Sequence, residues 1–204
     1  TMPNNLYKDG LQRELFLPFI DMVNNKFDIL LLDSQTDYRF SKILGVANRI
    51  VHPITDENQK SFEIIKRDLC DGEDTYAGVI EIFGREVMFK HTYRDTLFID
   101  FKEIVEQNFG YNDFVAICQN YSVIMLENVY EIKENESDKI TRFINFIDNA
   151  YFYKILLFMS LKTAPEKIYQ SGKMINEFAR TISRLNEMNS DEYLKEREDD
   201  YRKK

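Results

Sequence analysis

Four arginines are the residues of this sequence whose type and spacing best suit chemistry: Arg13, Arg39, Arg180 and Arg184. A guanidinium is permanently charged and presents a planar fork of donors, which suits it to stabilising charge on a transferred phosphoryl group. Arg13 falls early in an amphipathic stretch, beside Gln12. Arg39 closes Thr36-Asp37-Tyr38-Arg39, just after an apolar run. Arg180 and Arg184 stand four apart, which puts both on one face of a helix. Arginines on amphipathic helices also serve as solvated or salt-bridging surface residues, so the spacing by itself leaves both readings open.

Other chemistry is missing. The seven glycines are scattered and none precedes Lys-Ser or Lys-Thr, so the sequence holds no Walker A loop to cradle phosphates. No Asp-Glu pair closes a buried strand; Leu126-Glu127-Asn128 comes nearest and makes a poor magnesium site. The nucleophile elbow Gly-x-Ser-x-Gly is absent. Cys70, Cys118, His52 and His91 lack ligand spacing, so no metal site is expected, and the thiols read as reduced structural residues of a cytoplasmic protein. The chain alone is expected to hydrolyse nothing.

Composition bounds the rest. With 204 residues, 44% of them hydrophobic and 30% charged, the chain can bury one large core or two small ones. No apolar run approaches the roughly 18 residues of a membrane helix, which leaves at most peripheral membrane association. A net charge of −8 lacks the basic footprint of nucleic-acid binding, so no nucleic-acid partner is expected. The mixed-sign run Lys195 to Lys204 reads as a solvated helical tail. The opening Thr1-Met2-Pro3 reads either as a loop entered mid-protein or as a remnant before Met2.

Several elements must position these residues. Three- and four-residue apolar steps predict a helix over Tyr7 to Lys26, and Phe27 to Asp33 is a buried-strand run. His52-Pro53 is a break. A helix follows over Glu57 to Leu69, capped by Thr55 or Asp56 and ended by Asp71-Gly72. Val79 to Phe89 reads as a hairpin about Gly84, and Thr96 to Phe101 as a strand. Helices over Phe101 to Asn108, Asn112 to Asn120 and Ser137 to Tyr151 surround a strand over Val123 to Leu126. A strand over Ile155 to Met159 precedes helices over Ala164 to Gln170, Ile175 to Met188 and Ser190 to Arg202. Strands alternating with helices imply parallel βαβ units, hence an α/β fold. Residues 1–10 can also be laid on residues 163–172 with Thr, Pro, Tyr and Gly in place, either as two related βα units or by coincidence.

The same residues carry a family resemblance. Leu6 to Ile20 (LYKDGLQRELFLPFI) resembles the segment that follows sensor 1 in ZapE-type ATPases, bacterial relatives of the AFG-type mitochondrial ATPases. Thr36 to Arg39, Gly84 to Val87, Arg142 to Asp148 and Phe178 to Met188 resemble further blocks of that family, in order along nearly the whole chain. One departure is Ser34-Gln35, where many relatives carry Gly-Gly.

The resemblance implies the C-terminal half of an AAA+ P-loop ATPase of α/β class. In outline this is a partial P-loop core with a helix–β-hairpin insertion and a second βα unit closed by C-terminal helices. It divides into the end of the AAA+ core at 1–35, a helix and hairpin at 36–95, the second βα unit at 96–188 and a charged helix at 189–204. Walker A, Walker B and sensor 1 are expected to precede Thr1 in the full-length protein. By resemblance Arg13 is the candidate arginine finger, and Arg39, Arg180 and Arg184 are the sensor 2 candidates. ATP and Mg2+ are implied for the full-length protein and none for this chain alone. Implied partners are neighbouring subunits of a homo-oligomer and a protein of the division or quality-control machinery. The compartment implied is the bacterial cytoplasm, or the mitochondrion in a eukaryote. The alternative is a stand-alone protein-interaction module that does not use ATP.

Overall fold

The computed structural model describes residues 13–26, 49–82 and 84–202. The chain divides into two compact units, Thr1–Tyr38 and Arg39–Lys204. The first is described through one helix, α1 (Arg13–Lys26). It carries Pro18 in its interior, which costs one backbone hydrogen bond, and it exposes Leu15, Leu17, Phe19 and Met22. The expected strand over Phe27 to Asp33 and the position of Arg39 lie outside the described residues.

The second unit contains β1 (Ile50–Val51), α2 (Asp56–Leu69), β2 (Tyr76–Ile82), β3 (Arg85–Tyr93) and β4 (Thr96–Asp100). These are followed by α3 (Phe101–Glu106), α4 (Tyr111–Asn120), β5 (Val123–Val129), α5 (Ser137–Phe152) and β6 (Leu156–Leu161), and then α6 (Ile175–Met188) and α7 (Asp191–Arg202). One sheet of six strands runs in the order β1-β6-β5-β4-β3-β2. Strands β1, β6, β5 and β4 are mutually parallel, and β3 and β2 continue the sheet antiparallel. The alternation of strands and helices thus produces the parallel part. The turn at Gly84, with φ of 76°, produces the hairpin and makes the sheet mixed.

Parallel strands must be covered on both faces. All six residues of β6 are buried, and they alternate between two cores. Leu157, Met159 and Leu161 join Ile124 and Leu126 of β5 against Phe101, Ile104, Phe114, Phe143 and Ile147 of α3, α4 and α5. Leu156 and Phe158 join Met125 and Phe98 against Phe62 and Leu69 of α2 and Leu194 of α7. Each such side chain contributes about 1.5–3 kcal/mol by leaving water.

The caps follow local rules. Thr55 is the N-cap of α2, its hydroxyl accepting from the Asn58 N–H at 3.2 Å, and Asp71 and Gly72 leave the helix with positive φ. One expectation is corrected. Ala164 to Gln170 is not an α-helix; only a 3₁₀ turn forms, over Pro165–Lys167. Ile168 and Tyr169 instead turn into the core, and Gly172 sits at φ 124°, where an added Cβ would overlap the Tyr169 hydroxyl. Burial of those two side chains outweighs the weak helical preference of so short a segment.

Arg49 ties the last helices to the sheet edge. It is 1% exposed, and its Nη2 donates to the carbonyls of Met188 at 3.1 Å and Ser190 at 3.0 Å, at the C-terminal end of α6. Its own carbonyl accepts from the Met159 N–H at 2.8 Å, and its N–H donates to Asn189 Oδ1 at 3.1 Å. Burial lowers the guanidinium pKa from its usual value, and Asp191 opposes that shift. A cation at a helix C-terminus satisfies carbonyls that have no partner within the helix. Arg49→Met, which keeps the stem and removes those donors, should lower the stability of the second unit by about 2–4 kcal/mol. Urea denaturation followed by circular dichroism measures this; a loss under about 0.5 kcal/mol, the scale of a surface substitution, would show that the guanidinium holds nothing.

Candidate functional site

In open α/β sheets, ligands collect outside the carboxyl ends of the parallel strands. The second unit has a crevice there, between the ends of β1, β5 and β6 and the first two turns of α2. Val51, Ile54 and Phe62 form its apolar wall, and Asn58, Glu63, Glu127, Asn128 and Ser160 are among its polar groups. Asn128 holds the rim in a left-handed conformation, φ 63°, which Asn tolerates better than most residues. Its N–H donates to Ser160 Oγ at 3.0 Å and its side-chain amide to Asp100 Oδ2 at 2.7 Å.

The electrostatics of this crevice disfavour phosphate. The N-terminus of α2 would ordinarily attract an anion. Here Thr55 already accepts from the Asn58 N–H, and Asp56 and Glu57 occupy the first turn. Glu127, the carboxylate nearest in sequence to a magnesium-site pattern, is bound by Lys66 at 2.8 Å, and Lys66 also lies 5.7 Å over the Phe98 ring. The crevice measures about 70 Å³, against roughly 300–1,000 Å³ for sites that take drug-sized ligands. ATP therefore does not fit these residues, in size or in charge. Among the described residues, no cluster of three or more His, Cys, Asp or Glu could hold a metal ion.

The arginines singled out in the sequence occupy different settings. Arg13 is the first residue of α1, in the first unit. Arg39 lies outside the described residues. Arg180 and Arg184 share α6, whose Phe178, Thr181 and Leu185 face the core. Arg184 pairs with Asp148 of α5 and stacks at 5.4 Å on the Tyr151 ring, whose hydroxyl donates to Glu187 at 2.7 Å. Arg180, one turn earlier, is exposed, and among the described residues it has no ion-pair partner.

Three further arginines have roles that sequence reasoning did not assign. Arg49, Arg142 and Arg197 all donate to backbone carbonyls: Arg142 to Val105 at 2.9 Å, and Arg197 to Lys154 at 2.9 Å and Ser122 at 2.6 Å. Nothing in their sequence neighbourhoods signals this, because the carbonyls lie 37 or more residues away.

Both thiols are free and buried. Burial pushes the Cys118 thiol up to about 12 and raises that of Cys70, so neither is a thiolate near neutral pH. At pH 8, Cys118 of the folded chain should therefore react with an aromatic disulfide reagent at least about 100-fold more slowly than in guanidinium chloride, in proportion to its suppressed thiolate fraction, and Cys70 should also be slowed. Fast labelling of the folded chain at either cysteine would contradict this.

The comparisons with known proteins agree on one family. A family model described as AFG1-like ATPase matches residues 1–197. The cell division protein ZapE of Escherichia coli (strain K12) is 30% identical over 193 residues, which cover 95% of this chain and 51% of ZapE. Lactation elevated protein 1 homolog B of Danio rerio is 28% identical over 189 residues, covering 91% of this chain and 37% of the relative. The chain thus spans about half the length of ZapE, and less of the zebrafish protein. No solved structure matches it.

Proposed function

The chain belongs to the AFG1-like ATPase family, and from that premise we propose that it is the C-terminal portion of an AAA+ P-loop ATPase. The observation that carries this reading is the match across 95% of the chain to ZapE, a relative named for cell division. In this reading ATP hydrolysis by the full-length protein serves cell division or protein quality control. The parallel strands β4, β5, β6 and β1 with helices on both faces suit a P-loop-like architecture, with the β2–β3 hairpin as an insertion. In this reading ATP and Mg2+ are bound outside the strand-end crevice, which is too small and too acidic for them.

The contribution of this chain is then arginine supplied to a neighbouring subunit of a homo-oligomer. Arg13, at the start of α1, is the finger candidate. Of the sensor 2 candidates Arg39, Arg180 and Arg184, the pairing of Arg184 with Asp148 favours Arg180 over it within α6. The remaining partner is a protein of the division or quality-control machinery, with no nucleic acid and at most peripheral contact with a membrane. No described helix is long and apolar enough to cross one. The compartment is the cytoplasm in a bacterium or the mitochondrion in a eukaryote.

The test is Arg13→Ala in the full-length protein. A finger acting in trans touches nucleotide held by the neighbour, so nucleotide affinity should hold while turnover falls by about 10³-fold or more. Arg13→Lys should rescue poorly, because a point charge does not reproduce the planar fork. Mixing Arg13→Ala subunits with subunits defective in Walker B should restore part of the activity, since the two defects then fall at different interfaces. A helix-surface salt bridge is worth about 1 kcal/mol or less. Turnover within about twofold of the unmodified protein would therefore remove Arg13 from the reading.

A further inference from the structure

Apart from the ATPase reading, the sheet ends on one side in a chemically distinctive edge. Among the described residues, β2 is the outermost strand and pairs only with β3. Its residues, Tyr76-Ala77-Gly78-Val79-Ile80-Glu81-Ile82, include no Pro or Lys; a register shift between Tyr76 and Gly78 interrupts the pairing at its start, and from Gly78 to Ile82 the one edge-blunting feature is the charge of Glu81. Ile80 and Ile82 enter the core with Phe89. The alternate residues Val79 and Glu81, directly opposite Met88 and Glu86, therefore lie on the other face.

The cover on that face stops short of the hairpin. Helix α2 packs over Tyr93, Phe98 and Val123, whereas Val79 is 53% exposed and Met88 69%. Beside this apolar pair, Glu81 and Glu86 are both exposed and face each other across the two strands. Like charges directly opposite on a sheet repel. Arg85 does not relieve them, being paired with Asp113 of α4. Lys90 lies four residues from Glu86 along β3, about 13 Å at the strand repeat. Among the described residues, neither carboxylate has an ion-pair partner.

We infer that the β2 edge receives an extended segment of a partner protein, which sets a Lys or Arg against Glu81 and Glu86 and, two residues away, an apolar side chain against Val79 and Met88. The outer backbone edge of β2, unpaired among the described strands, supplies the pairing, and the alternate side chains supply the selectivity. The charge speaks against a second copy of this chain as the occupant. The chain carries a net −8, and its own β2 would bring another carboxylate where a cation is required.

Two fluorescein-labelled heptapeptides test this: Thr-Lys-Thr-Val-Thr-Lys-Thr, which places Lys, Val and Lys on one face of a strand, and the same peptide with Glu for Lys. Fluorescence anisotropy with the whole chain should show the Lys peptide binding at least about 10-fold more tightly, since a like charge opposite Glu81 is unfavourable. The double variant Glu81→Lys/Glu86→Lys, its fold checked by circular dichroism, should reverse that order. Amide hydrogen exchange on the unmodified chain should show new protection within residues 76–82 when the Lys peptide binds, and this measurement decides the matter if the double variant misfolds. Equal affinities, no binding, or protection that maps away from β2 would overturn the inference. Sedimentation showing a dimer whose β2 amides are protected without peptide would overturn it too.

Discussion

The second unit depends on one constraint, the burial of β6 on both faces. A parallel strand with neighbours on either side satisfies its backbone within the sheet, and its side chains must then be covered above and below. Leu157, Met159 and Leu161 require α3 to α6, and Leu156 and Phe158 require α2 and α7. The helices are layered as they are because no six-residue strand of Leu, Phe, Met and Ser can leave either face in water at about 25 cal/mol per Å² of apolar surface.

That layering creates a second requirement, the satisfaction of polar backbone where helices end against the sheet. Arginine supplies it at three places. Arg49 closes the end of α6, Arg142 reaches the last turn of α3 through the Val105 carbonyl, and Arg197 binds carbonyls at the starts of β5 and β6. The fork of donors on one long stem lets a single residue bridge two carbonyls from different parts of the chain, as Arg197 does through Nε to Lys154 and through Nη2 to Ser122. Arginines in this chain are therefore divided: Arg49, Arg142 and Arg197 hold the fold, whereas Arg180 is exposed.

The crevice at the strand ends shows the same division between architecture and activity. Its location is where an α/β sheet offers a ligand site, yet the Lys66–Glu127 pair and the acidic first turn of α2 fill it with the wrong charge for phosphate. Membership of an ATPase family and a strand-end crevice that does not suit ATP are compatible, since the chain covers 51% of ZapE.

Much of the second unit was legible in the sequence because its signals are local. The three- and four-residue steps of Ser137 to Tyr151, the apolar runs at Val123 and Ile155, and the Gly84 turn each specify an element through rules that span a few residues. The family was legible too, from ordered blocks such as Leu6 to Ile20. The 3₁₀ turn at Pro165–Lys167 was not, since it depends on where Ile168 and Tyr169 find the core. Nor could spacing separate Arg184 from Arg180: both lie on one face of α6, and only the approach of Asp148 and Tyr151 from α5 engages the first and leaves the second exposed. Residues near in sequence determined elements and kinship; partners 36 or more residues away, as Asp148 is from Arg184, determined which charges are structural, because a guanidinium's role is set by the acceptors that packing brings to it.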